Sequence, residues 1–124
     1  MLKVIISPAK SLDFEQNIDT PKTTLPVFQA ETEVLVRNLQ KMKLEDIQGL
    51  MKLSLSLAEL NFERYQNWIT PKEKSDLVKP AITVFTGEVY KGLDVASWKE
   101  KDFENAQEQL FILSGLYGLL RPLD

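Results

Sequence analysis

The feature that most constrains this fold is the wide separation of two short strand-like runs. Residues 3–6 are apolar and β-branched and end at a Ser-Pro pair, which predicts a buried strand running into a turn. Residues 81–85, bounded by Pro80 and Gly87, predict a second strand. Most of the chain between them has helical periodicity. The sequence therefore predicts a mixed α/β (α+β) fold, rich in helix, with a small mixed sheet.

Three helices are predicted between these runs. Residues 28–42 place their apolar side chains on one helical face, namely Phe28, Leu35, Leu39 and Met42. Residues 44–52 form a second helix with acidic residues in its first turn. A third helix is predicted to begin at a capping box formed by Ser56 and Glu59 and to stop at Thr70-Pro71.

The end of the chain has two interpretations. A last helix from about Asp102 has Phe103 and Ala106 on one face, but residues 110–113 are apolar on all sides. They either extend this helix or form a third buried strand, since periodicity does not separate the two over so few residues. The sequence stays apolar up to its last residues. Residues 1–124 are therefore expected to be one domain or the amino-terminal portion of a larger one.

The composition excludes several kinds of chemistry. The chain contains no cysteine and no histidine, which excludes disulfides, thiolate nucleophiles, the usual zinc sites and Ser-His or Cys-His catalysis. No pair of carboxylates stands out as general acid and base, so no catalytic residue, metal or cofactor is predicted.

Net charge and hydropathy limit the kinds of partner that the protein is expected to bind. The net charge of −3 gives no overall attraction to nucleic acid, so any DNA binding requires a local basic patch. The longest apolar run, residues 110–120, is shorter than a membrane-spanning helix and contains Ser114, Gly115 and Gly118. The apolar start is too short for a signal peptide. We expect a cytoplasmic protein with no membrane partner.

The loop after the first strand is the first candidate site. Ser7, Pro8 and Lys10 combine a hydroxyl, a constrained backbone and an ammonium group at a strand end, where α/β proteins present ligand-binding groups. Such a loop suits an anion such as phosphate. It lacks the glycines of a P-loop, and the alternative is a rigid turn with Lys10 facing solvent.

A second candidate follows the run at 81–85. Gly87 favours a turn, which places Glu88, Tyr90 and Lys91 near the predicted strand end. These are candidate site residues. The alternative is ordinary turn chemistry with a half-buried tyrosine.

The third candidate is the stretch at residues 114–121. Gly115 and Gly118 suit a tight hairpin whose backbone N–H groups face a phosphate, with Arg121 adding a charge-assisted contact. This resembles the hairpin of a helix-hairpin-helix DNA-binding element, although that element usually spaces its glycines two apart. The alternative is glycines that allow close packing.

Three sequence blocks together resemble the signature of the YaaA family. In chain order they read Ile-Ser-Pro-Ala-Lys-Ser-Leu-Asp at 6–13, Phe-Thr-Gly-Glu-Val-Tyr-Lys-Gly-Leu at 85–93 and Leu-Ser-Gly-Leu-Tyr-Gly-Leu-Leu-Arg-Pro-Leu-Asp at 113–124. With the helical middle, the resemblance covers nearly the whole chain. Family members continue well beyond the last block, so the chain is expected to represent the amino-terminal half.

The resemblance implies a bacterial protein of the oxidative-stress response that binds duplex or branched DNA through a basic cleft and a helix-hairpin-helix-like element. Such proteins limit damage from iron and peroxide. By motif, the resemblance assigns Lys10 to the anion-binding cleft, Gly115 and Gly118 to the hairpin and Arg121 to a phosphate contact. Ser7 and Lys91 are further candidates. The acidic net charge and the missing second half depart from this pattern.

Two functional hypotheses follow. The first is a DNA-binding stress protein without catalysis of its own, whose affinity falls with salt and on replacing Lys10 or Arg121. The second is an enzyme on a phosphorylated or nucleotide-like small molecule, in which Ser7 and Lys10 hold the anion and Glu88 or Tyr90 lies near the reacting group.

Overall fold

The computed structural model describes residues 2–72 and 78–124, which divide into two compact units. One unit comprises Met1–Phe28 and Pro71–Asp124, and the other comprises Gln29–Thr70. Each unit has buried residues of its own. The organisation as one domain or as part of a larger one stays a prediction.

The unit Gln29–Thr70 consists of three helices. These are α1 at Gln29–Gln40, α2 at Leu44–Met51 and α3 at Leu55–Gln66. Helix α3 packs against both of the others. The residues buried in this unit are Thr32, Val36, Ile47, Leu53 and Ala58. The three predicted helices are therefore confirmed.

The buried face of α1 differs from the predicted one. Thr32 and Val36, four residues apart, are each 1% exposed, whereas Leu35 is 43% exposed. One turn further along, Gln40 donates from Nε2 to the Tyr65 carbonyl oxygen at 2.9 Å. The packed face therefore includes polar residues, which a count of apolar spacings does not detect.

The helix ends follow local capping. At α2, the Asp46 carboxylate accepts the Lys43 N–H at 3.0 Å. At α3, the Ser54 hydroxyl accepts the Leu57 N–H at 3.4 Å. The predicted capping box at Ser56 is wrong, because Leu55 is already helical. Helix α3 also ends at Gln66, before the predicted stop at Thr70-Pro71.

The other unit contains a three-stranded mixed sheet and short helices. In chain order its elements are β1 at Val4–Ile6, α4 at Ala81–Val84, α5 at Glu88–Leu93, a 3-10 turn at Val95–Ser97, α6 at Glu100–Gln109, β2 at Leu110–Ser114 and β3 at Gly118–Leu120. The strand order is β1-β2-β3. Strands β1 and β2 are parallel, and β2 and β3 are antiparallel. The predicted mixed, helix-rich fold is confirmed.

The predicted strand at 81–85 is wrong. Residues 81–84 are buried, but they form the helical turn α4. The first amides of α4 bond to the end of the chain: Ala81 N–H donates to the Asp124 carbonyl oxygen at 2.8 Å and Ile82 N–H to that of Pro122 at 3.1 Å. A short apolar run has no strong preference of its own, so these long-range bonds decide its conformation.

The other two strand predictions are settled by the sheet. Residues 110–113 lie in β2, which selects the strand over the extended helix. Strand β1 is confirmed at Val4–Ile6, but it is not buried as predicted, since Val4 is 41% and Ile5 62% exposed. It pairs only with β2 among the described residues, so its outer edge is open.

One face of the sheet carries the core of this unit. Ile112 is fully buried, and Leu120, its partner in β3, is 3% exposed. Helix α6 contributes Phe103, whose ring meets that of Trp98 edge-on with centroids 5.2 Å apart. The core also includes Ala81, Ile82, Tyr90, Val95, Leu110 and Leu123. The core therefore fixes α4, α5 and α6 against one side of the sheet.

Candidate anion-binding site

The loop after β1 is held by the segment that follows α4. Asp13 N–H donates to the Val84 carbonyl oxygen at 2.8 Å, and Thr86 N–H donates to that of Ser11 at 3.2 Å. Between them, Leu12 and Phe85 form an antiparallel bridge. These bonds join two of the three sequence blocks, which lie far apart in the chain.

Tyr90 fixes the start of this loop. Its hydroxyl donates to the Ser7 carbonyl oxygen at 2.6 Å. Its ring packs against that of Phe85 with centroids 5.5 Å apart. Burial raises the pKa of Tyr90 to about 12, so the phenol is a neutral hydrogen-bond donor at physiological pH. The role of Tyr90 here is to position the backbone at Ser7.

Two lysines accompany this contact. Lys91 follows Tyr90 directly and is exposed, and it makes no ion pair or side-chain hydrogen bond within the described ranges. Lys10 lies three residues after Ser7 in the same loop and is also exposed. The structure thus brings the loop that carries Ser7 and Lys10 to the helix that carries Lys91.

The glycine-containing turn lies at the same end of the sheet. Ile6 pairs with Ile112 in the parallel ladder, so the loop after β1 and the turn after Ser114 leave the sheet in the same direction. The Ser114 hydroxyl accepts the Tyr117 N–H at 3.0 Å within this turn. Ligands of α/β proteins bind beyond the carboxyl ends of such strands.

Gly118 requires its lack of a side chain. Its φ of +75° lies in the left-handed region, and a Cβ there would meet Phe28 Cδ2 at 2.8 Å. Gly115 has no such constraint, because a Cβ would meet nothing within 4 Å. Gly118 therefore has the structural role given above as the alternative to phosphate binding: it allows close packing, here against Phe28.

The predicted tight turn exists, but its flanks are strands. The turn joins β2 to β3, with Ser114 paired to Gly118. Residues 114–121 therefore do not form a hairpin between two helices, and that interpretation of this stretch is wrong. The apolar residues on either side satisfy their backbone groups in the sheet ladder instead.

Arg121 follows β3, which runs away from this turn. Since β3 is antiparallel to β2 and Leu120 pairs with Ile112, the chain leaves β3 toward the amino end of β1. Arg121 Nη2 lies 2.9 Å from Oδ1 of Asp124 and donates to the Leu25 carbonyl oxygen at 3.1 Å. Its predicted phosphate contact stays a prediction and competes with these bonds.

An open cleft of about 440 Å³ lies beside Tyr90. It is lined by polar and charged side chains that include Thr83, Thr86, Glu88, Lys91 and Asp94. Asp94 adopts a left-handed backbone conformation with φ of 48°, which is uncommon for a residue other than glycine. Apolar side chains, among them Ile18, Phe85 and Val95, line the cleft as well, so its lining is mixed.

A sequence model of the family described as "Peroxide stress protein YaaA" matches residues 2–124. The chain belongs to the YaaA family. The chain is also similar to relatives named "UPF0246 protein": that of Burkholderia cenocepacia is 44% identical over 121 residues, that of Polynucleobacter asymbioticus 47% and that of Colwellia psychrerythraea 46%.

The match to these relatives covers 98% of this chain. It covers 46% of the first two relatives and 47% of the third. The chain therefore spans about half the length of the curated relatives it matches.

Sequence reasoning missed one set of polar contacts in this YaaA-family chain. The Asp124 carboxylate accepts the Arg121 N–H at 2.8 Å and also the Thr24 hydroxyl proton. Gln107 donates from Nε2 to Thr24 Oγ1 at 3.1 Å and accepts the Leu123 N–H at 2.9 Å. The opposite charges of Arg121 and Asp124, three residues apart, were the available signal.

The described residues contain neither a cluster of metal ligands nor a membrane-spanning helix. Within residues 2–72 and 78–124, no three side chains of the acidic, cysteine or histidine types converge as metal ligands would. No helix in the same ranges has the length and apolar character needed to cross a membrane.

Proposed function

We propose that this YaaA-family chain acts in the peroxide-stress response by gripping the phosphate backbone of DNA, duplex or branched, in the cytoplasm. Bound protein would limit iron- and peroxide-dependent damage to the DNA. The family assignment supports the stress response. One observation supports the DNA contact. The loop with Ser7 and Lys10 and the turn with Gly115 and Gly118 leave the sheet at the same end.

The chemistry of this end suits an oxyanion. Backbone N–H groups of a tight turn and nearby ammonium groups are common phosphate ligands, and they contact the backbone rather than the bases. Lys10 and Lys91 are the exposed cations of the two joined segments. Because the chain's net charge is −3, affinity depends on this local patch.

The proposal is tested by fluorescence anisotropy with a labelled DNA duplex over a range of salt concentrations. The double variant Lys10→Ala/Lys91→Ala is expected to weaken binding about tenfold and to lower the slope of log K against log salt by about 2, one for each lost phosphate contact. The matched control, Lys41→Ala/Lys101→Ala, removes two exposed lysines elsewhere and should leave both quantities unchanged.

The same pairs of substitutions are made at the aligned positions of the full-length relative from Burkholderia cenocepacia, because the chain spans half of that protein. The proposal fails if neither protein binds DNA in a salt-dependent manner. It also fails if the control variant loses as much affinity as the test variant.

A second candidate is an enzyme or binding protein for a phosphorylated or nucleotide-like small molecule. The cleft lined by Thr83, Thr86, Glu88 and Lys91 favours it, since it offers hydroxyls, a cation and a carboxylate in one place. A thermal-shift screen with nucleoside phosphates tests it. A ligand at about 100 times its Kd adds about 2.7 kcal/mol of stability. If none of the nucleoside phosphates raises the Tm, this candidate function is rejected.

A further inference from the structure

The sheet has a second face that is apolar but uncovered. Ile5 pairs with Phe111, and Leu113 pairs with Leu119, and the alternation of β2 puts both pairs on the side opposite Ile112. Ile5 is 62% exposed and Leu113 57% exposed. We refer to Ile5, Phe111, Leu113 and Leu119 as the open face.

The sequence pattern of these strands is that of a sheet buried on both sides. A sheet with one wet face alternates apolar and polar residues, whereas parallel strands covered on both faces read as continuous apolar runs. Strand β2 reads Leu-Phe-Ile-Leu-Ser and β1 reads Val-Ile-Ile. Lys3 lies against the open face, with its Nζ 5.7 Å from the centroid of the Phe111 ring.

The relatives contain enough additional sequence to cover the open face. Proteins that match this chain over 98% of its length contain about as much sequence again outside the match. We propose that the open face is the docking surface for an apolar layer, formed by a helix or helices, from that unmatched part of the YaaA family sequence. Helices on both faces are the usual covering of a sheet with parallel strands.

Lys3 argues against a second copy of this chain as the occupant. Its ammonium group lies over Phe111 and donates to the Glu108 carbonyl oxygen at 2.6 Å. Two open faces stacked on each other would bring an ammonium group from each copy into one interface, where the two like charges repel each other. A layer from a different sequence would meet a single ammonium group and no like charge from a second copy.

The test is cysteine labelling at single introduced positions. The chain has no cysteine of its own, so Ile5→Cys and Leu113→Cys each give a unique reactive site. Both should react rapidly with a maleimide in this chain. At the aligned positions of the full-length relative from Burkholderia cenocepacia, followed by peptide mass spectrometry, labelling should be at least tenfold slower.

The control is Lys101→Cys on α6, whose side chain is 77% exposed. It should label equally fast in both proteins. The inference is overturned if the cysteines aligned with Ile5 and Leu113 label as fast as this control in the full-length relative.

A second measurement distinguishes the occupant. Leu113→Lys should leave the Tm of this chain unchanged and lower the Tm of the full-length relative when made at the aligned position, because only there would the charge be buried. If this chain instead forms a dimer in analytical ultracentrifugation that Leu113→Lys abolishes, a second copy is the occupant and the inference is wrong. Its failure would leave the DNA-binding proposal standing, since the two concern different residues.

Discussion

The buried carboxylate of Asp124 holds the guanidinium of Arg121, with 2.9 Å between Oδ1 and Nη2. The Asp124 side chain is 0% exposed and that of Arg121 33% exposed. The same carboxylate accepts the Arg121 backbone N–H, and the Asp124 carbonyl accepts from Ala81. Side-chain and backbone hydrogen bonds of Asp124 thus hold the last sequence block within its unit, which is a structural role independent of any binding.

Asp124→Ala is expected to destabilise the chain by about 3 kcal/mol, because it leaves a partly buried cation without its partner. Arg121→Ala should cost at least as much, because it leaves the fully buried carboxylate of Asp124 without its cation, and the double variant should cost less than the sum of the two. Urea unfolding monitored by circular dichroism measures each value. The exposed pair Lys101–Glu104 is the control, and Glu104→Ala should cost under about 0.5 kcal/mol. Equal costs for Asp124→Ala and Glu104→Ala would contradict the structural role of Asp124.

Tyr90→Phe tests the bond between the tyrosine hydroxyl and the Ser7 carbonyl. We expect a loss of about 1 kcal/mol near neutral pH, the usual net value of such a bond. The folded pKa of Tyr90, about 12, is raised above its ordinary value of 10.0. The stability that Tyr90 contributes is therefore fully present below about pH 10 and is lost as the pH rises through 12.

This pH dependence is read from unfolding curves of both proteins between pH 8 and pH 12, where the difference between the two proteins reports the phenol alone. The advantage of the natural chain over Tyr90→Phe should shrink with rising pH. An advantage that stays constant up to pH 12 would show that the hydroxyl does not titrate as its burial implies.

Gly118→Ala is expected to destabilise by about 1–3 kcal/mol, because its φ of +75° strains any residue with a Cβ and because that Cβ would lie 2.8 Å from Phe28. Gly115→Ala, in the same turn, should stay within about 0.5 kcal/mol. Thermal unfolding compares them. If the two substitutions cost the same, the backbone of this turn differs from the described one.

Ser54→Ala should lower the stability of the helical unit by about 0.5–1 kcal/mol, since the Ser54 hydroxyl accepts the Leu57 N–H at the start of α3. Ser56→Ala lies one residue inside the helix and should have little effect, because alanine is the better helix former there. Hydrogen exchange at the first turn of α3 reports the difference locally. A larger loss of stability for Ser56→Ala would support the capping box predicted from the sequence instead.

Local features of the sequence were enough for most of the helices. The period of apolar residues and the acidic first turn located α2, and the Phe103–Ala106 spacing located α6. These signals act within one or two turns, so they need no knowledge of distant residues. Spacing did not find the buried face of α1, because that face includes the polar residue Thr32, which is 1% exposed, and Gln40, which donates to the Tyr65 carbonyl oxygen.

The candidate site was predicted in part. The strand-end loop with Ser7 and Lys10 and the turn with Gly118 were predicted from turn chemistry, and the sheet puts them at the same end. Arg121 was assigned to the same site from its place beside the glycines. Its direction depends on the antiparallel register of β3 and on the Asp124 carboxylate, neither of which spacing along the chain reveals.

By itself the sequence determined the mixed, helix-rich class, the family and the absence of thiol and imidazole chemistry, because these depend on composition, local periodicity and recognisable blocks. Only the tertiary structure decided that residues 81–84 coil into a helical turn, that residues 110–114 extend as a strand and that Arg121 bonds to Asp124. The physical reason is that short apolar runs have little conformational preference of their own. Hydrogen bonds to residues far along the chain, such as Ala81 to Asp124, select one conformation.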